Sequence, residues 1–157
     1  MSQLVLKNFT TLSNDEKEMV LQWRNHPSIR RWMYQKKPIA KEEHFNYIDS
    51  LKSRDDRCYF LVEKDKAPIG VIDFTALDKE KKSAEIGLYG VPSKQGVGKY
   101  LMDAILEYGF RQMHLKRLFA NVYKENEKAI RLYQKYGFRE INRDDELIYM
   151  EITNEYR

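Results

Sequence analysis

The run Gln95-Gly96-Val97-Gly98-Lys99 concentrates more chemical possibility than any other stretch of this chain. Glycines let a backbone pass close to a ligand, and free amides at a helix start attract anions. With Lys99 adding a positive charge, the natural guest is a pyrophosphate. The same residues also suit a turn that only begins a helix. Neither common nucleotide loop is present: Leu101 stands where a dinucleotide-binding loop needs its third glycine, and no Gly-Lys-Ser/Thr occurs. A second group carries acid–base chemistry. Asp73 and Thr75 share one face of a predicted strand, and Glu85 and Tyr89 share one face of another. Asn121 interrupts the apolar stretch Phe119-Ala120-Asn121-Val122 and calls for a hydrogen-bond partner. Either carboxylate suits a base that removes a proton directly or through water, and equally a tie that holds a loop. A third cluster is Trp23-Arg24-Asn25-His26-Pro27, followed by Trp32-Met33-Tyr34 and His44. An arginine fork binds phosphate or carboxylate, and the aromatic rings can stack on a flat ring. The alternative is a helix end whose last carbonyls are satisfied by Arg24 and His26.

Alternating strands and helices must position these groups. Leu4 to Phe9 reads as a strand. Ser13 with Glu16 forms a capping box, opening a helix that carries Met19, Val20 and Trp23 and stops before Pro27. A second helix spans about Ala40 to Leu51, with His44, Tyr47, Ile48 and Leu51 along one stripe. Strands follow at Arg57 to Glu63, Ala67 to Ala76 and Lys82 to Val91, the first two joined by a hairpin turn. A helix from about Val97 to Met113 buries Val97, Leu101, Ala104, Ile105 and Tyr108. The strand Leu118 to Tyr123 leads to a helix from about Glu125 to Tyr136, which Gly137 stops. Phe138 to Asn142 and Leu147 to Ile152 close the chain as a strand pair. The expectation is one α+β domain over 1–157 with a mainly antiparallel sheet.

Composition narrows the function classes. The 157 residues are 42% hydrophobic and 33% charged, which excludes a mostly disordered chain, a disulfide mini-protein and a long solenoid. No apolar run is long enough to span a membrane, and Met1 to Asn8 lacks the apolar stretch of a signal peptide, so a cytoplasmic protein is expected. A net charge of +4, from 28 basic and 24 acidic residues, favours an anionic small ligand. No basic block supports nucleic-acid binding. The single cysteine, Cys58, rules out an internal disulfide and a cysteine metal cluster; it is expected to be a buried, inert strand thiol. No metal is expected.

The order of these pieces is more specific than any one of them. The strand Glu85-Ile86-Gly87-Leu88-Tyr89-Gly90-Val91-Pro92 precedes the glycine loop, and the helix Asn126-Glu127-Lys128-Ala129-Ile130-Arg131-Leu132-Tyr133 runs on to Gly137-Phe138. Together, from roughly Val71 to Ile152, they resemble the GNAT superfamily of acyl-CoA-dependent N-acetyltransferases, although Ser93 stands where that family often has Arg or Gln. The resemblance implies a twisted sheet of about seven strands with about four helices, and a cofactor cleft where two parallel strands splay apart. It implies that acetyl-CoA pairs with Leu88, Tyr89, Gly90 and Val91, and that a backbone N–H near Tyr89 faces the thioester oxygen. Gln95, Gly96, Val97, Gly98 and Lys99 then cradle the pyrophosphate, and Asn126 and Lys128 complete the cofactor site. Tyr133, two helical turns beyond Asn126, is expected to protonate the departing thiolate; the bland alternative is a core tyrosine. The acceptor is an amine, and Asp73, Glu85, Tyr89 and Asn121 are the candidates to act on it. No cysteine suits an acetyl-enzyme intermediate.

A narrower resemblance covers nearly the whole chain. Leu6-Lys7-Asn8-Phe9, Trp23-Arg24-Asn25-His26-Pro27, Glu43-His44, Tyr59-Phe60-Leu61-Val62 and Ile69-Gly70-Val71-Ile72-Asp73-Phe74 look like the N-acetyltransferases of the pseudaminic acid pathway, which feeds flagellin glycosylation. That family acetylates the 4-amino group of UDP-4-amino-4,6-dideoxy-N-acetyl-β-L-altrosamine. By this resemblance Arg24 and His44 meet the UDP with His26 and Thr75 nearby, and Tyr89 and Tyr133 bracket the reacting centre. A protein N-terminus and another aminosugar are the alternative acceptors, and a non-catalytic CoA-sensing module is a third possibility. A homodimer is compatible with the exposed sheet ends.

Overall fold

Period-two alternation gives the central strands two apolar faces, and the sheet buries both of them there against helices. The computed structural model describes residues 3–154. Seven strands, β1 (Leu4–Asn8), β2 (Cys58–Lys64), β3 (Ala67–Asp78), β4 (Ser83–Gly90), β5 (Arg117–Tyr123), β6 (Arg139–Arg143) and β7 (Leu147–Thr153), form one sheet in the order β1-β2-β3-β4-β5-β7-β6. Every pairing is antiparallel except β4 with β5. That parallel pair is joined over only three positions, Ser83↔Arg117, Ala84↔Leu118 and Glu85↔Phe119. Beyond Glu85 the two strands part. The α+β class and the mainly antiparallel sheet agree with the sequence pattern.

On one face, Phe60, Ile72, Phe74, Ile86, Leu118, Ala120 and Met150 pack under α4 (Gly98–Leu106) through Leu101, Met102 and Ile105, with Tyr133 of α5 (Glu127–Lys135) and Phe138 at the margin. On the other face, Leu61 and Val71 meet Val20 and Trp23 of α1 (Asn14–Asn25), Ile29 of α2 (Pro27–Arg30) and Ile48 of α3 (Lys41–Ser50). Removing this apolar area from water is what holds helices of this length in place, since isolated ones are marginal.

Local signals explain the boundaries. Ser13 and Glu16 make a reciprocal capping box on α1. That helix ends before Pro27, as expected, but Pro27 then opens a new turn of helix, where its missing N–H costs nothing. The hairpin between β2 and β3 turns through Asp65 and Lys66, both at positive φ (51° and 73°), matching the twist of the strands they join. The helix expected to run to Met113 is α-helical only to Leu106 and widens into a π-helical stretch, Glu107–Gln112. Gly109 lies in that stretch, close enough to the sheet that a Cβ there would sit 3.0 Å from Phe74 Cε1. Cys58 is a strand residue but only half-buried; its thiol is pushed up to about 11, chiefly by burial, and stays protonated at neutral pH. Among the described residues no helix is long and apolar enough to cross a membrane.

Candidate active site

The opening between β4 and β5 is where the sheet gives up its own hydrogen bonds. From Ile86 to Gly90, β4 pairs with β3 on one side only, so the edge carrying Leu88, Tyr89 and Gly90 is available to another extended chain. Two glycines set the depth of the opening. A Cβ on Gly90 would lie 2.5 Å from Val97 Cγ2, and one on Gly98 would lie 3.1 Å from Leu132 Cδ2. Gly96 adopts φ +75°, the left-handed conformation that a side chain disfavours, and turns the loop into α4. No side chain caps α4. The amides of Gly96, Val97, Gly98 and Lys99 have no partner among the described residues. Unpaired amides at a helix start, beside the exposed Lys99, fit a pyrophosphate, and the open β4 edge fits a pantetheine amide chain. Asn126 caps α5, its Oδ1 accepting from Ala129 N at 3.4 Å, and Lys128 is exposed one residue into the helix. No cluster of three or more His, Cys, Asp or Glu suited to a metal ion occurs among the described residues.

Acid–base groups gather on the sheet face beside this opening. Asp73 and Gly87 are Cα partners across β3 and β4, and the carboxyl lies over the glycine: a Cβ at Gly87 would stand 2.6 Å from Asp73 Oδ2. Asp73 has no hydrogen-bond or ion-pair partner among the described residues. Burial pushes its carboxyl up to about 7, Glu85 adds to the rise, and Arg57 opposes it. Tyr133 belongs to the core on the other face of the sheet; it is 7% exposed, and its hydroxyl also lacks a partner among the described residues. Burial, then the charges of Asp73 and Glu85, hold that phenol above its ordinary range, so it keeps its proton. Tyr89 is raised likewise by burial, with Arg24 opposing and Asp73 reinforcing. Thr75 pairs with Glu85 across the strands and joins the same face.

One member of this group, Tyr34, was expected only as a ring that could stack on a flat ligand. Tyr34 donates its hydroxyl proton to Glu85 Oε2 at 3.0 Å and accepts from Asn121 Nδ2 at 3.1 Å, tying β4 to β5 across their divergence. The residue as a whole is 64% exposed, and partial burial of its hydroxyl end pushes the phenol up to about 12. The segment bearing it is anchored on β5, with Trp32 6.4 Å from the Tyr123 ring and Lys36 Nζ 3.9 Å above it. A groove of about 620 Å³ continues from Glu85 and Asn121 over Phe119 and Tyr149. A larger one, about 690 Å³, lies around Phe110, His114 and Asn154 and contains none of the candidate residues. The first adjoins the chemistry and the second does not, whatever their sizes.

The N-terminal cluster divides. Arg24 Nη2 donates to the Gln35 carbonyl at 3.2 Å, while Nη1 is buried without a partner; burial lowers its pKa, and Tyr89 and Tyr59 oppose that fall. His44 is 7% exposed and bonds through Nε2 to the Lys17 carbonyl at 2.9 Å, joining α3 to α1. Burial pulls its pKa down, so the ring is neutral and Nε2 donates. His26 is exposed and faces its own helix: Nδ1 accepts from Ser28 N at 3.1 Å and caps α2. Arg24 therefore joins the sheet-face group, whereas His26 and His44 are engaged elsewhere.

Comparison with known proteins agrees with this geometry. Residues 3–139 match the family model described as an acetyltransferase (GNAT) domain. The chain is 41% identical over 145 residues to acetyltransferase PseH of Campylobacter jejuni, covering 92% of this chain and 90% of the relative. It is 30% identical over 129 residues to spermidine N(1)-acetyltransferase of Escherichia coli K12, covering 81% and 69% respectively. The crystal structure of Campylobacter jejuni N-acetyltransferase PseH in complex with acetyl coenzyme A superposes with a TM-score of 0.84 at 35% identity, over 98% of this chain and all of that one (100%). Spermidine N-acetyltransferase from Vibrio cholerae, at 21% identity and a TM-score of 0.86 over 96% of this chain and 95% of that one, shares the fold. The chain belongs to the GNAT acetyltransferase family and is an N-acetyltransferase whose acetyl donor is acetyl-CoA.

Proposed function

We propose that this enzyme acetylates the 4-amino group of a UDP-linked 4-amino-4,6-dideoxy sugar, UDP-4-amino-4,6-dideoxy-N-acetyl-β-L-altrosamine, as a step of the pseudaminic acid pathway. One observation carries the substrate class: the 41% identity to acetyltransferase PseH, which extends over 92% of the chain. The site chemistry supports it. A diphosphate suits Arg24, whose buried Nη1 lacks a partner, whereas a polyamine would meet like charge there. Acetyl-CoA supplies an activated thioester.

The chain's own residues supply the rest. The amides of Gly96 to Lys99 and the free β4 edge hold the donor in register. Asp73, unpaired and raised to about 7, takes the ammonium proton of the acceptor directly or through water, since the amine attacks only as the free base. Tyr133 keeps its proton at neutral pH and delivers it from Oη on the leaving-group side. Tyr34 orients Glu85 and Asn121 at the rim, where the sugar enters. The purified enzyme, given acetyl-CoA with this aminosugar, spermidine or a ribosomal-protein N-terminal peptide, should release CoA with a kcat/KM at least about a hundredfold higher for the aminosugar. Faster turnover of the peptide or the polyamine would contradict the assignment.

A further inference from the structure

Behind Asp73 runs a line of polar side chains that the proposed chemistry leaves unused. Arg57 Nη1 donates to Tyr47 Oη at 3.0 Å, and Tyr47 Oη donates to Tyr59 Oη at 3.0 Å. An arginine can only donate, so the Tyr47 oxygen receives from Arg57, and its own proton goes to Tyr59. With that polarity the Tyr59 proton has no acceptor among the described residues. Packing fixes the ring that carries it: Tyr59 stacks on Phe9 at 5.3 Å and meets Tyr47 edge-on at 5.7 Å. Tyr59 is also the Cα partner of Asp73 across β2 and β3, with both side chains on one sheet face.

Arg57 Nε is buried without a hydrogen-bond partner and lies 3.7 Å from Asp56 Oδ2, so the guanidinium is held between that carboxylate and Tyr47. The groups acting on or facing Asp73 are Glu85 and Tyr89 of β4, Cys58 and Tyr59 of β2, Tyr133 of α5 and Arg57 ahead of β2. Arg24 of α1 acts on Tyr59 and Tyr89, and Tyr34 acts on Tyr133. Arg57 supplies the positive charge that opposes burial and Glu85 at Asp73.

We infer that Arg57, Tyr47 and Tyr59 are positioning residues that hold a charged hydrogen-bond line beside Asp73 and offset part of the effect of its burial, favouring the carboxylate that can accept a proton. This rests on Asp73 being the base. The coupling acts through space between the Tyr59 phenol and the carboxyl, and through the charge of Arg57 at the far end.

The test is a 13C NMR titration of aspartate-labelled enzyme, with the Asp73 resonance assigned by its loss in Asp73→Asn. Tyr59→Phe and Tyr47→Phe keep both rings and break the line; thermal melting checks their folding. Each should raise the Asp73 midpoint by about half a pH unit or more, roughly a threefold drop in the ionised fraction below the midpoint. Arg57→Gln should do the same, and Arg57→Lys should restore the wild-type midpoint. A midpoint that stays put or falls in folded Tyr59→Phe and Arg57→Gln overturns the inference. The pH dependence of kcat/KM, measured on the same proteins with acetyl-CoA and the UDP-aminosugar, should shift with the midpoint, and the loss of rate should shrink toward high pH. A midpoint that rises while the kinetic limb stays fixed supports the line's action on Asp73 and rejects Asp73 as the base.

Discussion

Tyr133 and Asp73 share surroundings that favour their neutral forms, and for the proposed proton donor and proton acceptor this has opposite consequences. For Tyr133 it guarantees the proton. Tyr133→Phe should lower kcat by about a hundredfold while leaving the KM for acetyl-CoA nearly unchanged. Because the hydroxyl has no partner among the described residues, the variant should melt no lower than wild type, which separates lost chemistry from lost folding. For Asp73 the same surroundings carry a cost in stability. Its folded value, about 7, lies above the ordinary 3.8, so the native state holds the proton more tightly than the unfolded chain. The stability this gives is complete below 3.8 and is lost as pH rises through about 7. Asp73→Asn, which cannot ionise, should therefore be inactive yet melt several degrees higher than wild type at about pH 8, with the gap closing in acid. At Arg24, Arg24→Ala should weaken UDP binding by about tenfold or more in calorimetry and spare acetyl-CoA. An equal loss of both ligands would indicate a damaged fold instead.

Among the elements, the segment after α2 joins the two halves of the site. Tyr34→Phe removes both bonds that link Glu85 to Asn121 and should raise the KM for the sugar several-fold more than that for acetyl-CoA, as read from initial rates. The docking of α1 on α3 depends on a neutral His44. Its folded pKa lies below the ordinary 6.5, so its contribution to stability is present above 6.5 and lost as pH falls. His44→Gln, which keeps a donor for the Lys17 carbonyl, should flatten the decline in melting temperature below about pH 6.5. Much of this layer could be read from the sequence because its causes are local. The Ser13–Glu16 box, the Gly137 stop, the alternation at Ala84, Ile86 and Leu88, and the glycines before α4 each act within a few residues. What stayed hidden is long-range. Tyr34 lies 51 residues from Glu85 and 87 from Asn121, and no periodicity records such a bridge. The line from Arg57 through Tyr47 to Tyr59 draws on two elements whose register only the folded sheet sets. The π-helical turn at Gly109 answers the bulk of Phe74 and Leu118, residues that sequence spacing does not connect to it. His26 shows the converse: its position beside Arg24 suggested a ligand contact, and local geometry spends its Nδ1 on the Ser28 amide.

At the scale of the whole molecule, the sheet is sealed by apolar cores on both faces and opens at one seam, where β4 and β5 share only three paired positions. In the proposed function donor and acceptor meet at that seam. On one side are the unpaired amides of the loop leading into α4 and the unpaired edge of β4, to which the proposal assigns the acetyl donor. From the other, Asp73 and Arg24 face the sheet-side space closed by Tyr34. Tyr133 belongs to the core cluster beneath and is coupled to Asp73 and Glu85 across the parting strands. A crystal structure with CoA and UDP bound together tests this arrangement most directly. The account predicts the pyrophosphate of CoA on the amides of Gly96 to Lys99, its sulfur beside Tyr133 Oη, and the UDP against Arg24. Coenzyme bound away from the β4–β5 seam, or a sulfur remote from both Tyr133 and Asp73, would contradict it.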